Sequence, residues 1–202
     1  MNKRIKNYVT ISLVALLTAL SACNQGNESN YERKEVYKVT FEAIGGQDVM
    51  PIGGYYGPNG TDYKSENGNE AVDFVSDEYY SLIRQAGVNI ILSSCDYYDI
   101  NPQSVIKGLE LCEKYDMGYF VMDGYIRNLL EQNPTDLQAK FNARVANYSG
   151  YKSYIGQTII DEPRTYQFEM VGRGFSAVDA YQDSEIYAYC NLLPEYNNQR
   201  ID

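Results

Sequence analysis

Short apolar runs alternate with helical patterns along most of the chain, and this alternation limits the possible folds more than any other feature. The runs at 87–94 and 118–123 are mainly apolar, as expected of strands that are covered on both faces. Between such runs, apolar residues recur at helical spacing, and helices are predicted to begin after Ser76 and at Asn101. Strands that alternate with helices are typical of parallel βα units. The predicted strands end at Gly57, Asp96, Asp123, Glu162 and Asn191.

Two parallel α/β architectures fit this pattern. One is a partial TIM (β/α)8 barrel with about five βα units, since a full barrel usually takes about 250 residues and this chain has 202. The other is an open doubly wound parallel sheet of five strands, a fold that can bind a nucleotide. The glycines of 53–60 form neither a G-x-G-x-x-G pattern nor a lysine-bearing phosphate loop, which favours the barrel. Further helices are predicted over 136–148 and 168–178.

The N-terminus carries a basic segment followed by a short apolar run. Lys3, Arg4 and Lys6 precede the run 9–20, which is too short for a typical membrane-spanning helix, and small residues then lead to Cys23. This order resembles the lipobox of bacterial lipoproteins. The resemblance implies that Cys23 is lipidated and anchors the protein on the extracytoplasmic face of the cell membrane or the outer membrane. We therefore interpret 1–23 as a signal peptide, 24–34 as a polar tether and 35–202 as the folded domain.

The composition excludes several kinds of site. The chain has no His, which excludes Ser-His-Asp and Cys-His mechanisms and His-ligated zinc within this chain. Its net charge of −10 argues against nucleic acid as a partner. The spacing of Cys95, Cys112 and Cys190 is not that of a metal site, and no cofactor is expected.

Polar and aromatic side chains stand at the predicted strand ends, where parallel α/β folds bind ligands. Glu162 precedes Pro163, and because the residue before proline is pushed toward extended geometry, Glu162 is predicted to continue a buried strand. A carboxyl group beside apolar walls favours its protonated form, as a general acid requires. Successive strand residues point to opposite sides, so Asp161 and Glu162 should not face the same point. The predicted ligand contacts are Tyr55, Tyr56, Asp96, Asp123, Asp161 and Asn191, although Asp96 and Asp123 taken singly also fit turns or helix caps.

Five segments resemble the catalytic barrel of clan-A glycoside hydrolases, the β-galactosidase and cellulase superfamily. They span 50–58, 79–94, 108–123, 154–163 and 187–194. In that superfamily the acid/base glutamate ends the fourth strand, where Glu162 falls, and the nucleophile ends the seventh, which this chain does not encode. The common Asn-Glu pair is Asp161-Glu162 here, and a tyrosine would have to replace the usual tryptophan platform.

This resemblance implies a surface lipoprotein related to retaining glycoside hydrolases. It would bind an oligo- or polysaccharide, or hydrolyse O-glycosidic bonds with Glu162 as acid/base. The chain as given is expected to be incomplete, about three βα units short of a closed barrel, and inactive or barely active alone.

Two other functions remain open. In the first, the protein is a non-catalytic lipoprotein that binds glycan at the cell surface. In the second, it is a metal-dependent hydrolase in which Asp96, Asp123, Asp161 and Glu162 hold Mg²⁺ or Ca²⁺ through oxygen ligands.

Overall fold

The structure, a computed structural model, describes residues 43–46, 49–60, 73–181 and 185–192, all within one compact unit, Val36–Asp202. These residues contain five strands and five α-helices. The strands are β1 (Gly53–Gly54), β2 (Ile90–Tyr97), β3 (Gly118–Met122), β4 (Tyr154–Asp161) and β5 (Tyr187–Asn191). The helices are α1 (Asp77–Gln85), α2 (Pro102–Lys114), α3 (Gly124–Gln132), α4 (Leu137–Val145) and α5 (Phe168–Asp179), with a 3-10 turn at Thr165–Gln167.

All five strands pair in parallel, and their order in the sheet is their order in the chain. The prediction of a parallel α/β fold is therefore confirmed. The sheet is curled into a half-barrel. The evidence is that Tyr55, just after β1, comes within 3.4 Å of Asn191 at the end of β5. In a flat sheet four strand spacings would separate these edges by about 19 Å, which two such side chains do not span.

The main core lies between the sheet and the helices. Val105, Leu109 and Phe141 from the helices are fully buried, and Tyr119 and Val121 of β3 belong to the same cluster. The alternate residue Phe120 therefore lies on the opposite face of the sheet, which we call the concave face.

The starts of two helices were predicted correctly, one from Ser76 as a cap and one from the pair Asn101-Pro102. The side chain of Ser76 accepts a hydrogen bond from the backbone N–H of Tyr79, 3.5 Å away, and that of Asn101 accepts one from Ser104, 3.3 Å away. After α1 the chain turns at Gly87, whose φ of +91° suits glycine. No sequence pattern had predicted α3, and β1 ends at Gly54 and not at Gly57.

No helix within the described ranges is long and apolar enough to cross a membrane. Cys23, the predicted signal peptide and the predicted tether lie outside the described residues.

Candidate functional site

Three predicted ligand residues meet at the carboxyl ends of the strands. The amide nitrogen Nδ2 of Asn191 donates a hydrogen bond to Oδ1 of Asp161, 3.0 Å away, and lies 3.4 Å from the hydroxyl oxygen of Tyr55. Asp161 ends β4, Asn191 ends β5 and Tyr55 follows β1. We call Tyr55, Asp161 and Asn191 the polar trio.

An irregularity in β4 turns Asp161 toward Asn191 and Tyr55. Thr158 pairs with Tyr189 and Ile160 pairs with Cys190, so that β4 contains one extra residue, Ile159. Ile159 and Ile160 both pack into the core beside the helices. The alternation is thereby shifted by one residue, and Asp161 shares the concave face with its pairing partner on β5.

The hydroxyl group of Tyr55 stays protonated within the trio. Burial, followed by its hydrogen bond to Asp161, raises the pKa of Tyr55 far above its ordinary value. Tyr55 therefore donates its proton to the carboxylate of Asp161, and its oxygen accepts from Asn191. None of the ion pairs among the described residues includes Asp161.

Aromatic rings lie beside the trio and on the concave face of the sheet. The ring of Tyr56, a residue that is 73% exposed, stands edge-on to the ring of Tyr55 with 4.8 Å between centroids. On the concave face the rings of Phe120 and Tyr189 lie 5.8 Å apart. They approach across Gly156, where a Cβ atom would fall 2.4 Å from Phe120 Cε1. No pattern in the sequence singled out Phe120 or Tyr189.

Glu162 differs from its predicted geometry. Its φ is +45°, in the left-handed region, and β4 ends one residue before it, so the predicted extended continuation of the strand is wrong. Its backbone N–H donates to the carbonyl oxygen of Asn191, 3.0 Å away, which holds this conformation. The residue is exposed beside the polar trio and not enclosed by apolar walls. Its acid/base role stays a prediction.

Asp123 lies apart from the trio. Its side chain is fully buried, caps α3 by accepting from the N–H of Tyr125 at 3.0 Å, and forms two hydrogen bonds with Arg144, 2.6 Å and 3.2 Å long. The guanidinium group of Arg144 in turn lies 4.8 Å from the ring centroid of Tyr98 and 5.1 Å from that of Tyr125. The carboxylate of Asp123 is thus engaged in the structure of α3, and the substrate contact predicted for it is left without geometric support.

The described residues do not assemble the predicted metal site. Among them, no group of three or more His, Cys, Asp or Glu side chains is placed to hold a metal ion. Asp123 is engaged by Arg144, whereas Asp161 belongs to the polar trio. Asp96 lies in β2, and its side chain lies outside the described part of the chain.

A surface groove of about 800 Å³ lies elsewhere, between α5 and the segment that joins α3 to α4. Its lining includes Asn133, Gln138 and Arg173 but no residue of the polar trio. The groove therefore does not extend the candidate site.

Comparison of the chain with protein-family models, with curated proteins and with solved structures found no match. The resemblance to glycoside hydrolases accordingly stays an expectation from the sequence.

Proposed function

We propose that the described domain is part of a (β/α)8-type barrel that binds carbohydrate at the carboxyl ends of its strands. The strand order supports the barrel architecture. A doubly wound sheet reverses its order at a switch point, whereas the order here runs from β1 to β5 without reversal. Crossovers of the usual right hand that step in one direction place all helices on one face of the sheet.

The polar trio is the observation that carries the proposal of carbohydrate binding. It stands at the end of the strands where parallel α/β folds bind ligands, and it combines a carboxylate, an amide and a phenol. The neighbouring ring of Tyr56 is exposed and offers an apolar surface to the face of a sugar ring. A few convergent polar groups beside an aromatic surface are typical of small-molecule sites.

Binding without cleavage is the activity that the site geometry favours. Retaining hydrolysis needs two carboxyl groups about 5 Å apart. Asp161, the carboxylate of the trio, accepts hydrogen bonds from its two partners, and the adjacent Glu162 is exposed. Hydrolysis with Glu162 as acid/base is a second candidate, because Glu162 directly follows the fourth strand. In both cases we propose that Cys23 carries the lipid that holds the domain at the membrane surface.

Calorimetry of the full chain with a panel of neutral, amine-bearing and acidic oligosaccharides tests the proposal. Asp161→Asn should weaken the affinity for a bound oligosaccharide by about 10-fold or more, since a hydrogen bond to a charged group contributes about 1.5–3 kcal/mol. Asp179→Asn, at an exposed position at the end of α5, is the matched control and should leave affinity unchanged. If the chain binds no oligosaccharide in the panel, the proposal of carbohydrate binding is rejected.

Two further assays separate the remaining parts of the proposal. Release of reducing ends from a bound oligosaccharide, abolished by Glu162→Gln, would establish hydrolysis over binding alone. Incorporation of labelled palmitate in a bacterial host should occur in the wild-type chain and be lost in Cys23→Ser. Equal labelling of both chains would refute the lipid anchor at Cys23.

A further inference from the structure

We infer that the group held by the polar trio is a protonated amine, so that the preferred carbohydrate carries unacetylated amino sugars. This inference rests on the proposed function of carbohydrate binding and specifies its ligand.

The hydrogen-bond pattern of the trio leaves acceptors for a ligand. Both hydrogen bonds formed by Nδ2 of Asn191 stay inside the trio, one to Asp161 and one to Tyr55. The Tyr55 hydroxyl proton is also used internally, on Asp161. The remaining lone pairs of the Asp161 carboxylate and the carbonyl oxygen of the Asn191 side chain are acceptors only. A ligand group must therefore donate, and an ammonium group offers three donors.

The negative charge of the trio favours a positively charged donor group over a neutral one. The Asp161 carboxylate forms no ion pair with another described residue. Its charge acts on the surrounding groups: burial first and the Asp161 charge second raise the pKa of both Tyr189 and Cys190. An ammonium group would neutralise this carboxylate, whereas a uronate or a sulfated sugar would be repelled by it. The net charge of −10 acts in the same direction over longer range.

The aromatic surroundings add a second attraction for a cation. The rings of Tyr55 and Tyr56 stand edge-on to each other, and the hydroxyl group of Tyr55 is hydrogen-bonded to the Asp161 carboxylate. A cation over the face of a tyrosine is stabilised by the ring quadrupole. This attraction is absent for a neutral hydroxyl or acetamido group.

The same combination already holds a cation elsewhere in the molecule. The guanidinium group of Arg144 is bound by the carboxylate of Asp123 and by the rings of Tyr98 and Tyr125. The polar trio and Tyr56 likewise present a carboxylate and tyrosine rings, and the Asp161 carboxylate forms no ion pair with another described residue. The geometry therefore points to a ligand that supplies the cation.

Competition among three matched oligosaccharides tests the inference on the wild-type full chain. The probes are a β-1,4-linked glucosamine tetramer, its fully N-acetylated form and a tetragalacturonate, measured by calorimetry at pH 6 in 0.15 M salt. We expect the glucosamine tetramer to bind at least 10-fold tighter than the N-acetylated tetramer, and the galacturonate not to bind. Equal or tighter binding of the acetylated or acidic tetramer would overturn the inference and leave carbohydrate binding standing. If the chain binds none of these three tetramers and no other oligosaccharide, the proposed function itself is rejected.

Variants and a simple amine distinguish the trio from unspecific attraction to an acidic protein. Asp161→Asn should reduce the preference for the amine-bearing tetramer to within about 2-fold, and Asp179→Asn should preserve it. A preference that survives Asp161→Asn and disappears in 0.5 M salt would be unspecific and would overturn the inference. Putrescine is compared with the glucosamine tetramer at the same concentration of amine groups. If putrescine binds as tightly as the tetramer, the assignment of the ligand as an amino sugar is overturned. Thermal unfolding of each variant verifies that the chains compared are folded.

Discussion

Replacement of Asp123 by alanine separates a structural carboxylate from a ligand-binding one. The substitution removes the cap of α3 and both hydrogen bonds to Arg144 at once. It leaves the guanidinium group of Arg144, whose side chain is 24% exposed, beside two tyrosine rings and without the carboxylate of Asp123. We therefore expect a large loss of stability and no direct effect on the polar trio.

The magnitude follows from the burial of the pair. Loss of one partner of a buried ion pair costs about 3–5 kcal/mol, and the partial exposure of Arg144 places this case near the lower end. Loss of an N-cap costs about 1 kcal/mol, so Asp123→Ala should cost about 3–4 kcal/mol in total. Asparagine caps helices as well as aspartate does, so Asp123→Asn should cost less, about 2 kcal/mol.

Urea unfolding followed by circular dichroism measures the difference. With an m-value of about 2 kcal/mol/M, Asp123→Ala should lower the midpoint by about 1.5–2 M. The matched control is Glu131→Ala, which breaks the exposed pair of α3 between Arg127 and Glu131, whose side chains are 40% and 44% exposed. Its cost should stay within about 0.5 kcal/mol. Equal costs for the two alanine variants would refute the reasoning, and lost oligosaccharide affinity in a fully stable Asp123→Asn chain would place Asp123 at the ligand.

Three other perturbations follow from the geometry. Gly156→Ala should lower the free energy of unfolding in urea by about 2–3 kcal/mol, because the added Cβ would overlap the carbonyl oxygen of Tyr187 and the ring of Phe120. Gly150→Ala, with no atom within 4 Å of the added Cβ, should cost far less. Glu162→Gly should raise the free energy of unfolding by about 0.5–1 kcal/mol, because glycine adopts the φ of +45° without strain. A lower free energy of unfolding in this variant would contradict the expectation. Burial raises the pKa of Tyr148 and Tyr154, so the unfolded chain ionises first as pH rises. The melting temperature should therefore stay constant below pH about 10 and fall above it. In Tyr148→Phe the fall should be less steep, and parallel curves of melting temperature against pH for the two chains would contradict this.

Local signals in the sequence were sufficient for most of the fold. Continuous apolar runs predicted the strands, because a parallel sheet that is covered on both faces needs them. Ser76 as a cap and Pro102 after Asn101 predicted helix starts, because both signals are local in the chain. Helix α3 was missed because it begins directly at the end of β3, although Asp123 had been considered both as a ligand residue and as a helix cap.

The site was predicted in composition but not in detail. Tyr55, Asp161 and Asn191 were found because strand ends of a parallel sheet converge. The geometry of Glu162 was not, because the local preference of a residue before proline was overridden by a hydrogen bond to the distant carbonyl of Asn191. The extra residue Ile159 was hidden in an apolar run that has no alternation to interrupt.

The hydrogen bond between Tyr55 and Asn191 joins positions 136 residues apart in the chain. The closure of so long a loop is entropically costly and depends on every strand between the two, so the proposed binding surface is assembled only when the whole sheet is in place. Ligand affinity is therefore a more demanding gauge of correct folding than helix content. A population that retains its core but has lost either outer strand would look native by circular dichroism and yet fail to bind.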